Sequence, residues 1–152
     1  MIPTVELRAC RAGDLSAVSA LLSQLSTAAH GPSDFAVDRL ADLLAQMEAA
    51  PEVYENLVAT VSGRVVGFIS VIFYKTLFHR GGTALINELV VDEHLRGTGI
   101  GQALVARAVA DARGRGMDEV EVGTEQENHR AQAFYRKCGF DEEYVLMGME
   151  FA

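Results

Sequence analysis

Apolar positions along this chain change period several times, and each change marks an element. Residues 5–11 alternate weakly, as a first strand would. Gly13-Asp14 then punctuates with Asp14 as an N-cap, and Leu15, Val18, Leu22 and Leu25 follow at helical spacing. This first helix is expected to end before the small and polar run at 26–31. Ala36, Leu40, Leu43, Leu44 and Met47 mark one face of a second helix, which opens after Pro32-Ser33-Asp34 and is stopped by Pro51. The pattern next turns β-rich at 57–61 and 65–74, with Ser62-Gly63-Arg64 as the hairpin turn between them. A reversal at His79-Arg80-Gly81-Gly82 leads into another apolar run at 85–91. A third helix is predicted from about Gly99 to Arg113, stopped by the glycines at 114 and 116, and a short strand follows in which Val120 and Val122 alternate with Glu119 and Glu121. The clearest helical pattern comes last: Ala131, Phe134, Tyr135 and Cys138 at i, i+3, i+4 and i+7, between an Asn128 cap and a Gly139 stop. Phe140 and residues 145–151 read as closing β-structure. The order β, α, α, β, β, β, α, β, α, β predicts an α/β fold with a mixed central sheet covered by helices.

Length and charge narrow this picture. The 152 residues suit one domain, and with no repeat, linker or low-complexity tract a single domain over 1–152 is expected. Although 49% of the residues are apolar, no window approaches the roughly 18 uninterrupted apolar residues of a membrane span, and the N-terminus lacks the pattern of a secretory signal. A cytoplasmic protein with no membrane partner is the expectation. The formal charge of −8, from 21 acidic and 13 basic residues, argues against general nucleic-acid binding. It slightly favours a cationic small partner, although simple solubility accounts for it equally well. Cys10 and Cys138 belong to no metal-spaced pair, so two reduced thiols and no metal site are expected, with Cys138 a packing residue on an apolar helix face.

Candidate chemistry concentrates at the junction between the apolar run at 85–91 and the third helix. The run contains one carboxylate, Glu88, and feeds a loop with Gly97, Gly99 and Gly101 that opens straight into the helix. The first turn of a helix presents N–H groups without intrahelical partners at the positive end of the macrodipole, and glycines let an anion approach the main chain. Such a junction suits phosphate. A dinucleotide fingerprint starting at Gly97 would need glycine where Gln102 stands, and the chain lacks the Gly-Lys-Ser/Thr ending of a nucleoside-triphosphate loop.

What does match is Arg96-x-x-Gly99-x-Gly101, followed downstream by Asn128-His129-Arg130-Ala131-Gln132-Ala133-Phe134-Tyr135. This pair of motifs resembles the GNAT superfamily of N-acetyltransferases, whose signature is Gln/Arg-x-x-Gly-x-Gly/Ala after a central strand, with an Asn that opens a later helix carrying a Tyr. The resemblance covers about residues 83–140 and implies a single-domain GNAT fold with helices on both faces of the sheet. It implies acetyl-CoA as co-substrate and an amine as acceptor, and a homodimer is common in that family. Backbone of Leu89, Val90 and Val91 would pair with the pantetheine amides like an added strand. The N–H groups of Gly97, Thr98, Gly99, Ile100, Gly101 and Gln102 would cradle the pyrophosphate, with Arg96 at the signature's first position. Asn128 would contact the pantetheine arm, and Tyr135 would face the sulfur. Taken singly, Asn128 is also a helix cap, Arg96 a surface charge and Tyr135 a core aromatic.

Acetyl transfer to an amine needs a neutral nucleophile, a site for the developing oxyanion and a proton for the departing thiolate. An alkyl ammonium near pKa 10.4 is mostly protonated at neutral pH, so a base must help. Glu88 is the candidate base, acting through a water, because a partly desolvated carboxylate gains basicity. Its alternative role is a structural carboxylate within the sheet. The resemblance makes Tyr135 the proton donor to the thiolate, and a backbone N–H at 89–91 would face the oxyanion. Family members that modify protein N-termini place a catalytic Glu five residues before the Asn, where this chain has Gly123. Glu121 and Glu125 flank it on the same expected strand face and remain fallback bases, Glu125 the better one. The expected activity is acetylation of a small-molecule amine by direct attack in a ternary complex. A protein lysine or N-terminal acetyltransferase and a non-catalytic acyl-CoA-binding module are the alternatives.

Overall fold

The computed structural model describes residues 4–29 and 35–151. Ser62 and Gly63 take φ of 50° and 78°, the left-handed pair that a two-residue hairpin needs to match strand twist. They join β2 (Tyr54–Val61) to β3 (Arg64–Tyr74) in an antiparallel pair. β1 (Val5–Ala9) adds antiparallel to β2, β4 (Thr83–Val91) antiparallel to β3, and β5 (Glu119–Val122) parallel to β4, giving the order β1-β2-β3-β4-β5. The parallel step at β4/β5 requires a crossover, which α3 (Ile100–Gly114) supplies.

Each face of the sheet is covered. On one, α1 (Leu15–Ala29) and α2 (Val37–Glu48) bury Leu15, Val18, Leu21, Leu22 and Leu44 against Val58, Phe68 and Val90. On the other, Ile100, Leu104, Val105, Ala108 and Ala112 of α3 pack on Leu57, Ala59, Ile69, Val71, Ala84 and Ile86, and α4 (His129–Lys137) adds Phe134 and Tyr135 to the margin. Gly67 makes the second packing possible. A Cβ there would lie 3.1 Å from Leu104 Cδ1 and 3.3 Å from Ile100 Cγ2, so a larger residue would hold α3 off the sheet. The expected mixed sheet with helices on both faces is what the chain forms.

Three local expectations change. α1 continues through residues 26–29 to Ala29, because that run contains no Gly or Pro to break a helix before residue 31. Asp14 closes a 3-10 turn (Ala12–Asp14) that runs into α1; its carboxylate accepts the Arg11 N–H at 2.8 Å and both terminal nitrogens of Arg8 at 2.7 and 2.8 Å. The closing β-structure expected at 145–151 does not form. Residues 141–151 join no ladder, since a strand needs a backbone partner and this segment has none among the described residues. His30 and the opening Pro32-Ser33-Asp34 lie outside the described residues.

Candidate active site

β4 is paired on both sides only along its first half. The register with β5 ends at Ile86 opposite Val122, whereas pairing with β3 continues to Val91. Beyond Ile86 the backbone groups of β4 that face β5 therefore have no strand partner, and the two strands open into a fork. The register with β3 also slips here: Ser70 pairs with Glu88 and Val71 with Ile86, leaving Asn87 as an inserted residue. Such a bulge reverses the alternation of faces. Ala84 and Ile86 join the α3 core before it; after it, Leu89 and Val91 do so, while Val90 joins the α1/α2 core. Glu88 shares the parity of Val90, so the bulge turns its side chain towards the α1/α2 side at the mouth of the fork.

Glu88 stays exposed to solvent, yet the protein around it desolvates the carboxyl enough to push its pKa up. The carboxyl end lies against the buried Ser70 hydroxyl while the residue as a whole keeps its solvent contact. The hydroxyl of Ser70, itself buried, donates to Glu88 Oε2 across the β3/β4 pair. Ser70 was missed in the sequence, where it is the one serine in the apolar stretch of β3. The consecutive polar residues Asn87-Glu88, out of step with an alternating strand, were the readable signal of the bulge.

The loop after β4 turns twice. Asp92 Oδ1 accepts the His94 N–H at 3.0 Å to start a 3-10 turn over Glu93–Leu95, and the Thr98 hydroxyl donates to the Leu95 carbonyl at 2.5 Å. Gly97 and Gly99 have φ of 79° and 91°, the region that favours glycine, and a Cβ on either would meet nothing within 4 Å. Gly99 is the N-cap of α3 and offers no side chain to the first-turn N–H groups. Gly101 serves differently. A Cβ there would lie 3.2 Å from Phe134 Cζ, so this glycine lets α4 close on the start of α3. Arg96 and Thr98 are exposed beside them.

Asn128 caps α4, its Oδ1 accepting the Ala131 N–H at 3.0 Å. Seven residues on, Tyr135 is half-buried between Phe134 and Phe140, in edge contacts with ring centroids 5.1 and 5.5 Å away. Burial pushes its phenol up to about 12. Tyr135, Leu89 and Val91 pack against the same core, so α4 and the open half of β4 border one region. Glu125 lies past the end of β5, exposed in the turn where its carbonyl accepts the Asn128 N–H, so it is not on the strand as expected. Glu121 sits on the closed part of the β4/β5 pair; its carboxyl is raised by a hydrogen bond shared with Glu119 and by burial. A groove of about 600 Å³ along α3, from Gln102 past Val105 and Val109 to Cys138, contains neither Glu88 nor Tyr135. Among the described residues no cluster of His, Cys, Asp and Glu could hold a metal ion, and no helix is long and apolar enough to cross a membrane.

The family model described as the acetyltransferase (GNAT) family matches residues 18–140. An aminoalkylphosphonate N-acetyltransferase of Salmonella typhimurium is 32% identical over 144 residues, spanning 95% of this chain and 90% of that protein. Glucosamine 6-phosphate N-acetyltransferase 1 of rice is 36% identical over 91 residues, 59% of this chain and 53% of that protein. Some curated relatives, the rice enzyme among them, are thus matched over about half of their own length or less. In fold, the crystal structure of glucosamine-6-phosphate N-acetyltransferase from Arabidopsis thaliana superposes with a TM-score of 0.84 at 21% identity, over 98% of this chain and 99% of that one. A match across most of the length, with the strand, loop and helices in the order just described, leads to one conclusion: the chain belongs to the GNAT acetyltransferase family.

Proposed function

We propose that this protein transfers the acetyl group of acetyl-CoA to a primary amine of a small molecule by direct attack in a ternary complex. The fork between β4 and β5 is the observation that carries the reading. It offers an unpaired strand edge at Leu89, Val90 and Val91, suited to the amides of a pantetheine arm, and leads directly to the open N-terminus of α3. The first-turn N–H groups and the loop from Gly97 to Gln102 would take the pyrophosphate, with Arg96 beside them. Bound there, acetyl-CoA supplies an acyl group already activated as a thioester.

The chain's own residues then divide the proton traffic. Glu88, its pKa raised by burial, accepts the proton of an incoming ammonium through a water. Ser70 fixes the rotamer of that carboxylate. Burial keeps the Tyr135 phenol protonated at neutral pH, so it has a proton to offer the sulfur of the leaving group. Asn128 has committed its side-chain oxygen to the α4 cap, which leaves its amide N–H groups for the pantetheine arm. A backbone N–H at 89–91 meets the negative charge that develops on the acyl oxygen. Neither Cys10 nor Cys138 is needed, and two unpaired thiols suit the reducing cytoplasm.

Small acceptors are favoured by the relatives, whose names specify glucosamine 6-phosphate and aminoalkylphosphonates. The test is thiol release from acetyl-CoA across a panel of both those amines, amino acids, polyamines, a lysine peptide and a peptide with a free N-terminus. Turnover on a small amine is expected. Turnover on peptides alone would overturn the small-molecule assignment, and coenzyme binding without turnover on any acceptor would leave a non-catalytic binder.

A further inference from the structure

The stretch that leads from β4 into the glycine loop leaves the sheet with few ties to the rest of the protein. Its last bond to a neighbouring strand runs from the Asp92 N–H to the Val66 carbonyl at 2.8 Å. The turn that follows is closed mostly from within: the Asp92 side chain accepts the His94 N–H, the Asp92 carbonyl accepts the Leu95 N–H, and the Thr98 hydroxyl donates to Leu95. Asp92 also meets Arg64 at 3.3 Å, but that guanidinium side chain is 70% exposed, and such a pair contributes little. Among the described residues, one side chain from another helix hydrogen-bonds to this turn. Gln24 of α1, 69 positions away in sequence and half-buried, accepts the Glu93 N–H on its Oε1 at 3.1 Å.

We propose that Gln24 is a positioning residue: it holds the Glu93–Leu95 turn in place and so keeps the loop that follows in the conformation the coenzyme needs before the coenzyme arrives. This role rests on that loop's taking the pyrophosphate of acetyl-CoA. An unanchored loop must be ordered by the coenzyme itself, and the entropy of that ordering is subtracted from affinity. An amide oxygen suits the task, because it accepts a backbone N–H without bringing a negative charge towards the phosphates. Gln24 is not needed for packing. α1 is held on the sheet by Leu15, Val18, Leu21 and Leu22, which bury their side chains in the core with Val58, Phe68 and Val90. The same helix covers the side of the sheet to which Glu88 turns, so α1 borders the approach of the amine and fastens the loop of the coenzyme.

Coenzyme A binding by calorimetry and amide exchange by NMR test this role. Gln24→Met keeps the length of the side chain and removes the amide acceptor. It should weaken coenzyme A binding by about three- to tenfold, the equivalent of one hydrogen bond, and speed exchange at Glu93 while the melting temperature holds. Gln24→Glu keeps an acceptor oxygen and should match the unaltered chain once salt screens its charge. An unchanged affinity in Gln24→Met overturns the proposal, and a lower melting temperature beside it would make Gln24 merely structural. An equal loss in both variants at high salt overturns it too. In the unaltered chain the Glu93 amide should be protected before any coenzyme is added; protection that appears only with coenzyme A overturns the proposal even if neither variant folds. If the unaltered chain binds no coenzyme A, the coenzyme assignment of the loop fails and the role of Gln24 falls with it, whereas binding that ignores Gln24 sinks that role alone.

Discussion

Glu88 and Ser70 face each other across a single register position, and that pairing makes a statement about pH. A carboxyl with a raised pKa holds its proton more tightly than in water, so the base form appears only as the pH climbs through the raised value. The rate kcat/KM should rise along that limb. Glu88→Gln should erase the limb and lower kcat by about 10²–10⁴-fold, the usual contribution of a general base; a surviving limb would move the base elsewhere. The Ser70 hydrogen bond favours the charged carboxylate, so Ser70→Ala should displace the limb to still higher pH while Ser70→Thr keeps it in place. A merely structural serine would lower the rate without moving the limb. Tyr135→Phe keeps both ring contacts and removes the proton. Its kcat should fall by about 10²-fold with coenzyme affinity intact, and an unchanged rate would remove Tyr135 from the chemistry.

At the scale of elements, three glycines that look alike in the sequence answer to different forces. Gly97 and Gly99 sit at positive φ under open space, so their cost of replacement lies in the backbone; Gly67 has ordinary φ and three side-chain atoms within 3.4 Å of a would-be Cβ. Gly99→Ala should strain the loop by about 1–2 kcal/mol and weaken coenzyme binding by about tenfold in calorimetry. Gly67→Ala should instead lower stability by about 1–3 kcal/mol, by wedging α3 off β3, and leave coenzyme affinity near its original value. Equal losses of affinity in the two variants would contradict this division.

Across the molecule, the far end of α3 holds a different electrostatic arrangement. Arg115 lies 3.9 Å over the Phe73 ring, donates to the Pro51 carbonyl at 2.9 Å and reaches Glu55 Oε2 at 3.7 Å. Glu55 Oε1 is buried without a partner, and burial together with neighbouring Asp111 pushes the carboxyl up to about 7. The folded state therefore binds the Glu55 proton more tightly than the unfolded chain. Its stabilising effect is complete below about pH 4.5 and is lost as the pH rises towards 7. Glu55→Gln should be close to neutral at pH 4 and gain about 1–3 kcal/mol at pH 8 in denaturant titrations. A gain of the same size at both pH values would assign the effect to something other than this titration.

Much of this was legible in the chain. Periodicity determined the order of strands and helices down to β5 and α4, because amphipathic spacing and Gly or Asn punctuation act within a few residues. The pair of motifs at Arg96–Gly101 and Asn128–Tyr135 determined the family for the same reason, since loop and cap chemistry is local. Only the tertiary structure decided where those elements separate. The Asn87 bulge and the parting of β4 from β5 after Ile86 depend on the registers of two partner strands, and they alone turn Glu88 towards the mouth of the fork and set Ser70 against it. The tail at 144–151 makes the same point in reverse: its strand-like composition is plain in the sequence, but a strand exists only with a partner, and among the described residues none pairs with it.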